Sequence, residues 1–482
     1  MTGLRTDLYE IRMAVSYLRQ SMSAPATFSL FVRQLPADRG FLVAAGLADC
    51  LAFLGDFRFT ARELRYLGDA VELSEADLTA LAGLRFTGDV RAIPEGRVVF
   101  AGEPLLEVTA PIAQAQLVET ALLNLVTYQT ALASKAARCR LAADGAALVD
   151  FSARRTHGWD AAMAAARSAA IVGFASTSNA AAARRYGLPP AGTMAHSYVE
   201  AFPSELAAFS AFVADFPDAA VLLVDTYDTA AGVRAAIDVA RRTGTVLGIR
   251  LDSGDLWEES LRARRMLDDA DLPRVQIMAS GGLDEHAIAS LVARGAPIDH
   301  YGVGTRMGVS ADAPALDSAY KLVEYAGEPV MKLSPGKETL PGAKQVFRGA
   351  AGGTDVLALR HDPAPDGMEP LLVPVMRDGR PVNPRLPARA TVAAARARFE
   401  ADLEWLPARA RQVAGAAPVP VRPSAALSAL AERVRESGQR YPVLPRPAAE
   451  VDSSATPSGV RSATSDGPQP GLVSGSRARS RQ

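Results

Sequence analysis

The stretch "GIRLDSGDL" sets the guanidinium of Arg250 two residues before the carboxylate of Asp252, with a second carboxylate, Asp255, across a Ser-Gly turn. Such a trio can close on itself as salt bridges. It can equally hold a ribose diol and a magnesium pyrophosphate, the carboxylates accepting from hydroxyls or reaching the metal through water. Asp225 and Asp228, in "VDTYDT", can join them. "DFSARRTHG" offers the ring of Phe151 beside Arg154 and Arg155. That combination suits a flat anionic ring, by stacking and by pairing with its carboxylate, and equally suits a core phenylalanine with two surface arginines. "ASGGLDE" and "YGVGTRMG" supply Gly281, Gly282, Gly304 and Thr305, whose backbone N–H groups are unshielded, as phosphate binding needs. "GTMAHS" contributes His196, an imidazole that can take a proton or a phosphoryl group, or serve only as a hydrogen-bonding residue.

Each of these groups follows a short apolar run. The runs between residues 146 and 310 are "AALVDF", "AAIVGFAS", "GTMAHS", "AAVLLVDT", "TVLGIRLD", "VQIMAS" and "DHYGVGT", with Ser176 and Ser178 after the second. Helix-like stretches such as "TAAGVRAAIDVARRTG" separate them. Strand, loop and helix repeated seven times predict a parallel sheet with helices outside it. No Gly-x-Gly-x-x-Gly opens the series, which favours a (β/α) barrel over a doubly wound open sheet. A barrel gathers all the polar strand ends on one rim, the face where barrel active sites are built. Loops are polar in any case. Their recurrence after all seven runs points to an active rim.

Around that segment, residues 1–115 mix helical and strand-like pieces as an α+β N-terminal domain, to be completed by strands from 345–395. The barrel is expected over 116–344, helices over 396–445, and a disordered Ser/Pro/Gly-rich tail over 446–482. Net charge is −1 with 22% charged residues, so no global field draws nucleic acid or an anionic membrane. No signal peptide and no spanning apolar run is evident, which predicts a soluble cytoplasmic protein. Cys50 and Cys139 have no metal-ligand spacing and are read as small core residues. Only five of the 52 basic residues are lysines, and Lys321, Lys332, Lys337 and Lys344 fall close together. They suit a solvated loop or a phosphate-contacting one.

Taken in order, "TDLYE", "RGFLVAAGL", "DFSARRTHG", "GTMAHS", "VDTYDT", "GIRLDSGDL", "ASGGLDE", "YGVGTRMG" and "KLSPGKETLPGAKQVFR" resemble the nicotinate phosphoribosyltransferase family from residue 6 to about 348. The resemblance implies a type II phosphoribosyltransferase fold. It implies formation of nicotinate mononucleotide from nicotinate and phosphoribosyl pyrophosphate with Mg²⁺, driven by ATP through a phosphorylated histidine, matched here by His196. It also implies a homodimer in which Tyr9 reaches the sister subunit's nicotinate site. Phe151 with Arg154 or Arg155 then matches the ring-binding stretch, with Ser176 nearby. Asp252 matches the carboxylate near the ribose, with Arg250 beside the pyrophosphate, and Gly281, Gly282, Gly304 and Thr305 match the 5′-phosphate site. Nicotinamide-using relatives place an aspartate near the ring, where this chain reads "GFASTSN", which favours the acid over the amide. Two other classes share the phosphate loops. A sugar-phosphate isomerase or aldolase would need a base or a Schiff-base lysine on the rim, and none of the seven loops through 305 holds such a lysine; a non-catalytic binding protein would keep the loops without turnover.

Overall fold

A computed structural model describes residues 3–334, 338–350, 353–383 and 387–437. The expected tail, the last part of the segment 396–445, and Lys337 lie outside the described residues.

The N-terminal part is an antiparallel sheet of seven strands in the order Glu328–Pro329, Ser318–Tyr325, Pro25–Val32, Pro104–Pro111, Asp89–Ala92, Val373–Arg377 and Arg380–Pro381. Helix Leu8–Arg19 and two helices with reciprocal caps, Ala61–Val71 after Thr60 and Glu75–Gly83 after Ser74, accompany it. Ser318–Tyr325 falls inside the segment expected to form the barrel, yet it pairs with Pro25–Val32, Leu30 facing Tyr320. The other edge of Pro25–Val32 is taken by Pro104–Pro111. Without Ser318–Tyr325, a row of N–H and C=O groups on that strand would go unpaired. Lys344–Arg348, Asp355–Leu359, Glu369–Pro370 and Val421–Pro423 form a separate four-stranded sheet.

Helix Glu119–Ala142 joins the two halves. Ala121, Leu122 and Val126 pack into the core of the N-terminal sheet, whereas Ala136, Ala137 and Cys139 pack into the core of the parallel sheet. Small residues all round its second half let neighbours approach from every side. Cys50 and Cys139 are both buried and free. Among the described residues no helix is long and apolar enough to cross a membrane.

The parallel sheet has six strands where seven were expected, in the order Ser176–Thr177, Ala147–Asp150, His300–Val303, Gln276–Ala279, Gly248–Leu251 and Val221–Leu223. It is a curled half-barrel, since its two end strands do not pair with each other. Two of the expected strands differ. The "AAIV" of the second run prolongs helix Trp159–Ile171, because the alanine-rich stretch before it is already helical, and only Ser176–Thr177 remains extended. "GTMAHS" forms no strand. Pro189 and Pro190 have no N–H to donate, so the chain makes a single bridge, Thr177 to Pro190, and His196 opens the short helix His196–Glu200.

Candidate active site

Strand Gly248–Leu251 is buried along its whole length, so Arg250 carries its charge into the interior with its donors already engaged. Its Nε donates to Ser280 Oγ at 2.8 Å, Nη1 to Thr193 Oγ1 at 3.1 Å and to Met194 O at 3.4 Å, and Nη2 to Asp252 Oδ1 at 2.6 Å. Ser280 Oγ donates to the same Asp252 oxygen. Burial pushes the Asp252 carboxyl up, but the Ser280 and Arg250 hydrogen bonds, the Arg250 charge and His196 outweigh it and hold the group below its usual range. Asp252 is therefore a carboxylate at any physiological pH. Its side chain remains 28% exposed, with Oδ2 4.0 Å from His196 Nε2, while His196 Nδ1 meets Thr226 Oγ1 at 3.2 Å. The imidazole is held by one nitrogen and is itself 41% exposed.

The opposite wall is backbone. Gly281 has φ +93°, and a Cβ there would lie 2.0 Å from the carbonyl oxygen of Asp252. Only glycine fits. A Cβ on Gly302 would strike the Phe151 ring at 2.6 Å, so that glycine makes room for the ring. Phe151 is fixed at the strand end by its N–H to Val303 O, 2.8 Å, and the Arg250 guanidinium lies 5.3 Å from its ring centroid. Beneath it, buried Asp150 accepts from Ser152 N and Oγ and from Thr177 Oγ1, which ties the Phe151 turn to the neighbouring strand. Burial raises the Asp150 carboxyl despite those bonds.

The two glycine loops are braced together. Asp284 Oδ1 caps helix Glu285–Ala293 through His286 N and Ala287 N, and Oδ2 accepts from Arg306 Nη1 at 2.6 Å, one residue past Thr305. Burial raises this carboxyl less than the Ala287 N–H and Arg306 lower it.

Nine of the residues picked from sequence line one cavity of about 200 Å³. Phe151, Arg154 and Arg155 form one side, Arg250 and Asp252 the floor, and Gly281, Gly282, Gly304 and Thr305 the other side. Arg154 and Arg155 lie in the exposed turn Ala153–Arg155, so three guanidinium groups against one carboxylate give the cavity an excess of positive charge. Asp225 stands just behind, its Oδ2 accepting from Asp252 N at 2.8 Å and Ser253 Oγ at 2.6 Å. Ser176 lines an adjoining cavity of about 310 Å³ that shares Phe151. Asp255 and Asp228 instead cap helices Leu256–Asp269 and Thr229–Thr243. Tyr9 lines a separate groove of about 650 Å³ with His157 and Asp160 and is not part of the rim cavity. Lys344, from the lysine cluster, is buried against the Leu340 and Gly342 carbonyls, and burial brings its amine down to about 8.

Sequence reading passed over Ser280, Thr193, Thr226, Asp150 and Asp284. Ser280 was visible as the small polar residue before the glycine pair in "ASGG". Thr193 and Thr226 carry no local signal, since their partners lie 57 and 30 positions away, and Asp150 and Asp284 add to their local contacts partners 27 and 22 positions away.

The same chain matches two family descriptions: the nicotinate phosphoribosyltransferase N-terminal domain over residues 4–127 and the nicotinate phosphoribosyltransferase family over residues 146–339. It is 52% identical over 391 residues to a nicotinate phosphoribosyltransferase of Mycobacterium tuberculosis, covering 80% of this chain and 84% of the relative. A Bacillus subtilis nicotinate phosphoribosyltransferase is 46% identical over 357 residues, covering 72% and 73%. The crystal structure of human nicotinic acid phosphoribosyltransferase superimposes with a TM-score of 0.78 at 30% identity, covering 89% of this chain and 99% of that one. The chain belongs to the nicotinate phosphoribosyltransferase family.

Proposed function

We propose that this enzyme joins nicotinate to phosphoribosyl pyrophosphate at the half-barrel rim, releasing pyrophosphate and nicotinate mononucleotide in the salvage route to NAD. The observation that carries the reading is the single cavity in which the Arg250–Asp252 pair faces a glycine wall and two exposed arginines. The reaction makes one bond and breaks one. The lone pair of the pyridine nitrogen attacks the anomeric carbon while the carbon–oxygen bond to pyrophosphate breaks, and the electron pair leaves with pyrophosphate. No proton moves, so the site needs position and charge rather than a base. Positive charge grows on the ribose, where Asp252 is held as a carboxylate. Negative charge grows on the leaving group, beside Arg250. Phe151 with Arg154 or Arg155 takes the nicotinate ring and its carboxylate. The backbone at Gly281, Gly282, Gly304 and Thr305 takes the 5′-phosphate.

Magnesium would enter with the pyrophosphate and offset its charge. Among the described residues no group of three or more His, Cys, Asp or Glu could hold a metal by itself. The fitting residues are Asp252 and Asp225, whose Oδ1 is buried without a partner, acting through water. His196 takes the γ-phosphoryl group of ATP on an imidazole nitrogen, ADP leaves, and water later releases orthophosphate. Its half-exposed ring beside Asp252 supports this role. We further infer a homodimer, because Tyr9 lies off this chain's own rim cavity and is 47% exposed.

Nicotinate mononucleotide formation, with and without ATP and with nicotinamide and quinolinate as alternatives, tests the reading. The expected result is turnover with nicotinate, stimulated by ATP in the wild type and unstimulated in His196→Ala. Binding of substrates without turnover would overturn the enzymatic reading. Full ATP stimulation in His196→Ala would remove the phosphohistidine alone.

A further inference from the structure

A second cavity, of about 360 Å³, opens on the N-terminal sheet and shares no residue with the rim. Three arginines converge on it from separate segments. Arg91 stands on Asp89–Ala92, Arg377 on the adjacent strand Val373–Arg377, and Arg360 just past Asp355–Leu359 of the four-stranded sheet; His361 is beside it. Groups of like charge gather only where something offsets them.

Three carboxylates, Asp89, Glu107 and Asp378, line the same cavity and match the formal charge, but among the described residues only Glu107 is paired with one of the arginines. Glu107, at the base, already accepts from Ser29 Oγ at 2.5 Å, from Lys344 N at 3.0 Å and from Arg360 Nη2 at 2.9 Å. Asp89 accepts the N–H of Asp378 at 2.9 Å, and Asp378 is exposed at the mouth. On the cationic side much is left over. Arg91 gives Nη2 to Leu372 O at 3.0 Å, but its Nε, like that of Arg360, is buried with no partner among the described residues. The side chains of Arg377 and His361 make no hydrogen bond or ion pair among the described residues. Burial and the charges of Arg360 and Arg377 depress the Arg91 guanidinium against the pull of Glu107.

We propose that this cavity binds the phosphate group of a small molecule between Arg91, Arg360 and Arg377, apart from the catalytic rim. Guanidinium forks pair with oxyanions two bonds at a time. Three of them lining one cavity offer more N–H donors than the two oxygens of a carboxylate can accept and suit a tetrahedral dianion. The three arginines come from two different sheets, so a bound phosphate would tie those sheets together and stabilise the fold.

Thermal unfolding of the full chain, with inorganic phosphate as the probe, tests this against acetate and chloride at equal ionic strength. Wild-type protein is expected to gain about 1–2 °C at ten times the dissociation constant, with no gain in acetate or chloride. Arg377→Ala, at an exposed position, is expected to lose most of that gain while its turnover stays unchanged, and Arg377→Lys to keep part of it. An undiminished gain in Arg377→Ala would place the phosphate at the catalytic rim and overturn the proposal. So would equal gains in acetate and phosphate, or no gain at all in wild type.

Discussion

Two arginine–carboxylate clusters in this molecule use the same chemistry and stand at opposite ends of exposure. Arg348 and Asp355 have side chains only 2% and 0% exposed. Arg348 gives Nη2 to Asp355 at 2.7 Å and to Val98 O at 2.9 Å, gives Nη1 to Asp402 at 3.0 Å, and lies 4.3 Å from the Trp405 ring centroid. Arg250 and Asp252 make an equally short contact but face the rim cavity, the carboxylate partly open and a histidine alongside. The first cluster uses its charge inside the protein, where removing a partner strands the other. The second leaves charge over for a ligand. Charged pairs of like geometry thus divide into those closed inside the fold and those left open to a cavity, and access to solvent separates them.

The largest test of that division is Arg348→Ala, which leaves Asp355 and Asp402 buried without their shared cation. It is expected to lower unfolding stability by about 3–5 kcal/mol, read from denaturant midpoints, with turnover per folded molecule retained. Gly281→Ala should do the reverse. Its Cβ presses on the Asp252 carbonyl, and displacing the rim by a fraction of an ångström is expected to cost about a hundredfold in kcat/KM, while the unfolding midpoint moves less than in Arg348→Ala. A Gly281→Ala enzyme with wild-type kinetics would break the contrast. The smallest effect is at Glu103, next to the buried cluster, whose Oε1 has no hydrogen-bond partner among the described residues. Burial and the Asp355 charge lift its carboxyl far above the ordinary 4.5, with Arg348 opposing. A carboxyl raised in the fold binds its proton more tightly there than in the unfolded chain, so stability falls as pH climbs above about 4.5 toward the raised value. Glu103→Gln removes that loss. Its melting temperature should exceed that of wild type by a margin that widens between pH 5 and pH 8, and a constant margin would contradict the assignment.

The rim was legible because its residues are local in sequence. Arg250 and Asp252 are two apart on one strand end, and Gly281, followed by Gly282, marks a turn where no other residue fits at 281, so short motifs disclosed both walls. "GTMAHS" and "AAIV" misled for one reason. A run of a few apolar residues has no period of its own, and the neighbouring context, prolines in one case and an alanine-rich helix in the other, decides its conformation. The buried clusters are held together mostly by contacts between distant positions. Arg348 meets Val98 across 250 positions and Arg138 meets Glu285 across 147, and only the folded chain brings them together. Asp255 and Asp228 show a further limit: an aspartate at the start of a helix reads alike whether it caps the helix or meets a ligand.

The half-barrel is open between Ser176–Thr177 and Val221–Leu223, and the chain that runs from one to the other carries His196. In a closed ring, strand tilt and stagger fix the circumference, and no member moves without the rest. Here the segment 191–195 is attached to the rim by two donations from Arg250, to Thr193 and Met194, and by the Ala191 N–H to Thr177 O, 2.9 Å. Shifting the histidine relative to Asp252 therefore breaks no bond between adjacent strands. The gap works as an expansion joint, across which the imidazole can change position while the pairing of the six strands stays as it is.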